Sequence, residues 1–462
     1  MKRIIILMLA CTMVLGAVAS SSATEFKASG TLDMAFQWLD NAGPRDSQRN
    51  ASEGAYFNAI QRLRTKIDII ANESLKGVYY LEVGTITWGD ENSGGDLGTD
   101  GINVETKRLY LDYQVPHTAL SLRMGLQGLA LPSLANNNPV LDDDVAAIVA
   151  NYSFSERFNV VAAWARAVDV EDYATRNTPT SNSKYDVFTI IAGLNFEPVT
   201  VVPYVAYAAI GRNADIHSSA TSTRVTEITV DGVDTTLTET DSVITATEDR
   251  DVWWVGLSAK SHYWENLNLA FDFVWGWSDG SEMAVGDSTS SRDQSGFYVL
   301  LHGDYKLEYF TPTLDLWYAS GDDDSTTGDG NYMPIISAGG LALTNLGTDG
   351  GFFDTTDNAF TESGIGTFGV VLGFTEFSFI ENVTHDFKVA YMQGTSDYSS
   401  SSTVNTFPTD EDRAWEFNLD TNWQMYENLA AIVELGYLNP DYKSVNGEEA
   451  IFKAAIGFQY SY

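Results

Sequence analysis

The stretch LNLAFDFVWGW (267–277) places Leu267, Leu269, Phe271, Phe273, Trp275 and Trp277 on one parity and Asn268, Ala270, Asp272 and Gly276 on the other. A period of two is the period of a strand, with alternate side chains on opposite faces. The pattern recurs along the chain. TLDMAFQWL sets Leu32, Met34, Phe36 and Trp38 against Asp33 and Gln37. QRLRTKIDI sets Leu63, Thr65, Ile67 and Ile69 against Arg62, Arg64, Lys66 and Asp68, and RLYLDYQV sets Leu109, Leu111, Tyr113 and Val115 against Arg108, Tyr110, Asp112 and Gln114. One parity is apolar and aromatic throughout; the other carries the charges. A secreted β-sandwich or solenoid keeps its outward face polar. An apolar exterior around a polar interior is the arrangement of a barrel in lipid.

The connections alternate as well. Short turns such as ANESLK (71–76), VPHTA (115–119), SER (155–157), EPV (197–199) and YENL (426–429) take turns with long loops rich in Gly, Ser, Asp and Asn, among them the stretch 321–364. Short on one side and long on the other is the habit of outer-membrane barrels. The segments predict an all-β fold, a transmembrane antiparallel barrel of about 18 strands, with 16 as the alternative. The two polar runs around Asp231-Gly232 predict a hairpin standing above the barrel.

The last segment, IFKAAIGFQYSY, alternates up to Tyr462, with Phe458, Tyr460 and Tyr462 on the outward parity. In a closed barrel the last strand pairs with the first, because an open edge in lipid leaves backbone groups unsatisfied. At the other end, Lys2 and Arg3 precede an apolar run and small residues, the pattern of a secretory signal over 1–23, with cleavage after Ala23 or at the Ala17/Ala19 pair. The barrel domain then covers 24–462. The single cysteine, Cys11, falls in this segment, where LMLAC also admits a lipoprotein reading. No disulfide framework is expected in the mature chain. Past the signal no run approaches the ~20 apolar residues of a spanning helix.

The formal charge of −37 leaves no basic stripe for nucleic acid. The five histidines form no Ser–His set or metal-binding pair, and no glycine-rich phosphate loop is present, so an enzyme is not expected. Function should lie on the inward parity. There, Arg62, Arg64, Lys66, Arg108 and Arg123 gather on neighbouring strands as a basic wall; the plainer reading pairs them with Asp68, Glu82 and Asp112. The third long connection, about 127–145, holds Leu129, Leu131, Leu134, Val140 and Leu141 beside Asp142, Asp143 and Asp144. A loop this apolar has reason to pack inside the barrel. The acidic run Asp322, Asp323, Asp324 and Asp329 offers divalent cations a place at the outer rim, or is a solvated edge. No other cofactor is expected.

Together the signal, the TEFKASG start, LPSLANNNPVLDDDV in the third loop, WYASGDDD at 317–324 and the aromatic end resemble the outer-membrane homotrimeric porins of the general Gram-negative type. The resemblance implies a third loop folded into the lumen, with Asp142, Asp143 and Asp144 facing the basic wall across a constriction. It implies an outer-membrane location, self-association as a trimer, and a terminal aromatic signal for the barrel assembly machinery. Lipid and lipopolysaccharide would surround the barrel. Function is then passive diffusion of small hydrophilic solutes and ions, the excess carboxylates favouring cations and the basic wall able to reverse this. The alternatives are a substrate-specific channel, with Tyr80, Tyr110, Trp254 and Trp317 as candidate lumen aromatics, and a plugged barrel serving as surface adhesin or receptor.

Overall fold

In the computed structural model the described residues are 24–41, 55–99, 104–169, 183–212, 214, 224–230, 233–239, 244–246, 249–285, 288–323, 330–353, 359–398, 407–444 and 449–462. Residues 1–23, where the sequence leads one to expect a signal, lie outside them, as do Asp324 and Asp329. Strands β1 (Glu25–Asp40) to β9 (Val199–Ile210) follow one another in antiparallel pairs: β2 (Tyr56–Asn72), β3 (Leu75–Thr87), β4 (Val104–Gln114), β5 (Leu120–Ala130), β6 (Asp142–Ser155), β7 (Phe158–Asp169) and β8 (Lys184–Phe196). Among the described residues β10 (Arg224–Val230) and β11 (Val233–Glu239) form a separate two-stranded hairpin, as the sequence predicts, and short β12 (Ile244–Ala246) adds to the far end of β14. The wall continues through β13 (Arg250–Trp264), β14 (Leu267–Val285), β15 (Ser288–Tyr305), β16 (Thr311–Ala319), β17 (Thr367–Ile380), β18 (Val383–Gly394), β19 (Arg413–Tyr426), β20 (Leu429–Asp441) and β21 (Ile451–Ser461). The main sheet has 19 strands; without β12 it is a closed barrel of 18.

Closure is made by β21 on β1, from Thr31↔Ser461 to Asp40↔Phe452. Pairing runs to the final residue, where Gly30 and Tyr462 exchange N–H···O bonds of 3.0 and 3.1 Å. The Tyr462 hydroxyl reaches past β1 to the Thr65 hydroxyl on β2. Tyr460 and Tyr462 lie exposed on the outer face and stack at 6.2 Å, with half-buried Phe458 on the same parity.

The exterior is apolar with an aromatic band at each end. Near the loops, Trp164, Phe188, Tyr207, Trp253 and Trp277 stand in direct register on five adjacent strands. Near the turns, Tyr152 meets Phe154 edge-on at 4.7 Å, Phe154 stacks on Phe158 at 5.0 Å, and Tyr263, Trp264, Trp423 and Tyr426 are exposed. Amphipathic rings at the two edges of an apolar belt match the two interfaces of a bilayer. In such a belt the exposure of Leu, Ile and Phe is the stable arrangement, and each wall strand is hydrogen-bonded to a neighbour on both sides.

Candidate functional site: a lumen crossed by two loops

The third long loop occupies 131–141, since residues up to Ala130 and from Asp142 are strand. It leaves its own strands and docks on β9, β13 and β14. Leu131, Val140 and Leu141 are buried. Asn138 donates to the Tyr204 hydroxyl at 3.1 Å, and Ser258 donates to the Pro132 carbonyl at 2.9 Å. Asp272 takes the loop's tip: its carboxylate accepts from Ser133 Oγ at 2.6 Å and from the Leu134 and Ala135 amides at 2.9 Å each. A loop held inside a barrel cannot leave its N–H groups bare, and an ionised acceptor holds them more firmly than a neutral one.

A second loop also enters the lumen. The sequence places 321–364 among the long polar loops, and for 330–353 and 359–366 the structure corrects this. Met333, Ile336, Leu341, Leu346, Phe353, Phe360 and Ile365 are buried in it. The apolar signal was present in MPIISAGGLALTNL, diluted by the glycines and acids around it. Trp254 donates to the Pro334 carbonyl at 2.7 Å, and Trp317, against this loop, donates to Thr367 at 2.9 Å. On the other side of the barrel, Glu416 accepts from Thr344 Oγ1 at 2.8 Å and from the Leu346 and Gly347 amides at 3.1 and 2.9 Å. Lys388 and Lys453 each donate to loop carbonyls, of Leu343 and Asn345, at 2.7 Å, and Lys453 pairs with Glu434 at 3.2 Å. Further on, Glu434 accepts from the Phe352 amide at 2.6 Å and Gln37 donates to the Phe353 carbonyl at 3.3 Å. The loop therefore runs from β13 to β1, across the width of the lumen.

The two loops are joined. Leu141 and Ser337 form a parallel bridge; the Ile336 and Ser337 amides donate to the Val140 carbonyl at 2.9 and 3.0 Å; and the Asp142 amide donates to Ser337 at 2.9 Å. Asn137 donates to Gly340 at 2.8 Å, and the Ala342 amide to Asn136 at 3.0 Å. One continuous crossbar results, made of two segments far apart in sequence.

What the crossbar leaves uncovered is the wall of β2–β5, and its charges are tied in chains. Arg64 meets Glu82 at 2.6 Å, Lys107 lies 3.8 Å from Glu82 and 3.1 Å from Asp144, and Arg108 meets Asp144 at 2.6 Å. Nearer the turns, Lys66 pairs with Asp68 at 3.2 Å, Lys76 lies 3.5 Å from both Asp68 and Asp112, and Arg123 holds Asp112 at 2.6 Å. Arg62 lies 4.8 Å over the Phe353 ring of the crossbar. The Arg108 and Arg123 side chains remain 39% and 43% exposed, so both chains face open lumen. A cavity of about 720 Å³ follows this wall toward the turns, past Lys76, Asp112, Arg123 and Asn151.

The acids Asp142, Asp143 and Asp144 are the first residues of β6 and not part of the loop. Asp143 accepts from Ser337 Oγ at 2.6 Å. By parity Asp144 belongs with Ile148 and Phe154 on the outer face. It nevertheless meets Arg108, because β4 pairs with β5 only as far as Leu109↔Leu126, and beyond that the β5–β6 hairpin turns away from the wall. Gly125, at φ 130°, makes the bend, and the Arg108 guanidinium fills the gap over Gly128, where a side chain would collide with it. Asp144 and the basic wall are thus direct neighbours rather than opposite sides of an opening.

Lys107 escaped the sequence reading. Strict alternation sends it outward with Leu109, but a bulge between Tyr80↔Arg108 and Leu81↔Thr106 turns it in. Of the candidate lumen aromatics, Tyr80 and Tyr110 lie under Arg108 and Arg123, at 5.8 and 4.5 Å, while Trp254 and Trp317 are buried against the crossbar. Asp322 and Asp323 sit at the loop end, where Asn331 donates to Asp323 at 3.2 Å; among the described residues no group of three metal-ligating side chains converges.

No protein-family model matches the sequence, and no curated protein matches it. Solved structures do. Pseudomonas aeruginosa OpdQ is similar with a TM-score of 0.52 at 12% identity, over 95% of this chain and 98% of that one. The BenF-like porin from Pseudomonas fluorescens Pf-5 gives 0.54 at 9%, over 95% and 98%. Pseudomonas aeruginosa OpdK, in a structure with vanillate, gives 0.51 at 8%, over 94% and 98%. At these identities the likeness is one of fold: the chain is a closed barrel of the outer-membrane porin kind.

Proposed function

We propose that this chain is an outer-membrane channel that passes small hydrophilic solutes selectively along the charged wall of β2–β5, rather than a wide diffusion pore. The observation that carries the reading is the crossbar, two joined loops spanning the lumen and leaving one charged wall free. On that wall Arg62, Arg64, Lys66, Lys76, Lys107, Arg108 and Arg123 outnumber Asp68, Glu82, Glu105, Asp112 and Asp144, seven to five, a local reversal in a chain of charge −37. A surplus of guanidinium groups beside Tyr80 and Tyr110 suits a small organic anion, and an aromatic carboxylate such as vanillate, present in the OpdK structure, is the first solute to try. The apolar belt with its two aromatic bands supports residence in the outer membrane of a Gram-negative cell among lipid and lipopolysaccharide.

Trimer formation belongs to the same proposal and is supported by the porin resemblance; crosslinking of the protein in membranes tests it. Recognition of Phe458, Tyr460 and Tyr462 by the assembly machinery is supported by their shared outward parity on the closing strand, where Tyr460 and Tyr462 are exposed. An enzymatic role has no support in the lumen chemistry. Liposome swelling with a carboxylate, a sugar and an amine of equal size tests the channel: faster entry of the carboxylate supports it, and equal rates for all three return the protein to the general diffusion class.

A further inference from the structure

One part of the outer face is not produced by simple alternation. β17 ends in FTEFSFI, and from Phe374 onward strict alternation would send Glu376 and Ser378 outward and Phe377 into the barrel. Instead the register shifts twice, between Phe374↔Phe387 and Phe377↔His385 and again before Ile380↔Val383, with Glu376 at φ 58°. The extra residue turns Phe377 to the outside, stacked 5.4 Å from Phe310 and packed at a tilt 4.7 Å from Phe379. Phe377 and Phe379, with Phe374, Phe387 and Leu419, line a groove of about 530 Å³ at the turn end of the barrel. A bulge that re-aims a ring in this way is a built feature.

The groove contains one polar side chain, His385. Its Nδ1 bonds to Thr421 Oγ1 at 2.8 Å, and its Nε2 makes no hydrogen bond among the described residues. The rim is charged: Glu376 and Lys306 lie 3.9 Å apart and well exposed, and Glu381 occupies the adjoining turn. We propose that the groove binds a zwitterionic aminophospholipid of the phosphatidylethanolamine type. An acyl chain lies among the phenyl rings. The imidazole Nε2, the ring nitrogen not engaged by Thr421, donates to the phosphate. The ammonium meets the carboxylates of Glu376 and Glu381. The occupant is a lipid because the groove is continuous with the apolar belt and its outermost ring, Phe379, is 76% exposed on that face. An amine headgroup fits a rim in which carboxylates outnumber Lys306.

The inference rests on the membrane placement given above, and its test is independent of conduction. The purified full barrel in non-ionic detergent is titrated with phosphatidylethanolamine and with phosphatidylglycerol, and bound lipid is counted by native mass spectrometry. One phosphatidylethanolamine per barrel is expected, with about tenfold weaker phosphatidylglycerol binding and about tenfold loss in Phe379→Ala. His385→Gln, which keeps the groove filled, should lose headgroup preference and retain the acyl contact. Equal binding of the two lipids by the wild type, or undiminished binding in Phe379→Ala, overturns the proposal. Conductance of the same samples separates the two readings: a conducting barrel without lipid preference contradicts only the lipid site, and a lipid-selective barrel without conductance contradicts only the channel.

Discussion

Asp272 and Glu416 lie on opposite parts of the wall and do the same thing. Each carboxylate accepts two backbone amides and one hydroxyl from an incoming loop. Hydrogen bonds to a charged acceptor contribute about 1.5–3 kcal/mol each, and an amide in its place would turn an NH2 toward the donors. Asp272→Asn should therefore weaken docking by about 2 kcal/mol, raising the undocked population roughly thirtyfold. Single-channel recording checks this as a higher, noisier conductance from a barrel that still migrates as folded. On the wall, Asp144→Asn leaves Lys107 and Arg108 without their shared carboxylate, and anion over cation permeability should rise about fivefold, equivalent to ~1 kcal/mol; an unchanged reversal potential would dispose of the role. Outside the barrel, Asp412 joins two loops by accepting from Thr409, Lys443 and Ser444. Burial pushes its carboxyl up, but these hydrogen bonds together outweigh burial and hold it below the ordinary carboxylate range. The joint is then fully formed above the ordinary carboxylate pKa and is lost as pH falls through the depressed value. Hydrogen exchange in the two loops should increase in acid, and Asp412→Asn should show the looser state at every pH.

Among the elements, strands and turns were legible because each obeys a local rule. Alternation fixed which face of β1, β2, β4 and β14 meets lipid, and the terminal aromatics announced the closing strand. The exceptions come where a bulge breaks the period, at Lys107 and at Phe377, since a bulge depends on the register of the partner strand and leaves no mark on the chain that carries it. The loop at 131–141 was legible through its leucines; the apolar segment 333–346 was hidden by neighbouring glycines and acids. Replacing 335–350 with a short Gly-Ser linker removes half of the crossbar and should raise conductance severalfold; no change would mean that the crossbar does not limit flow. Deleting Tyr462 removes its two backbone bonds to Gly30 and its reach to Thr65, and should lower stability by about 1–3 kcal/mol, read as an earlier urea midpoint.

At the scale of the whole molecule, the fold follows from a single requirement, that every backbone group in lipid be paired within the protein. That requirement is written in composition and period, so the barrel could be read from the chain alone. The lumen could not be read to the same depth. Its crossbar joins residues such as Leu141 and Ser337 across a great length of chain, and its charges are balanced in pairs that no single strand contains. An acidic loop set against a basic wall across an opening is the expectation from sequence; in the structure Asp144 binds that wall directly, and on the proposed channel reading the surplus cations set the sign of the path. Planar-bilayer recording of the purified protein in a salt gradient tests this most directly. The structure predicts small conductance steps with a reversal potential on the anion side, displaced by added aromatic carboxylate. Large ohmic steps with cation preference would contradict it.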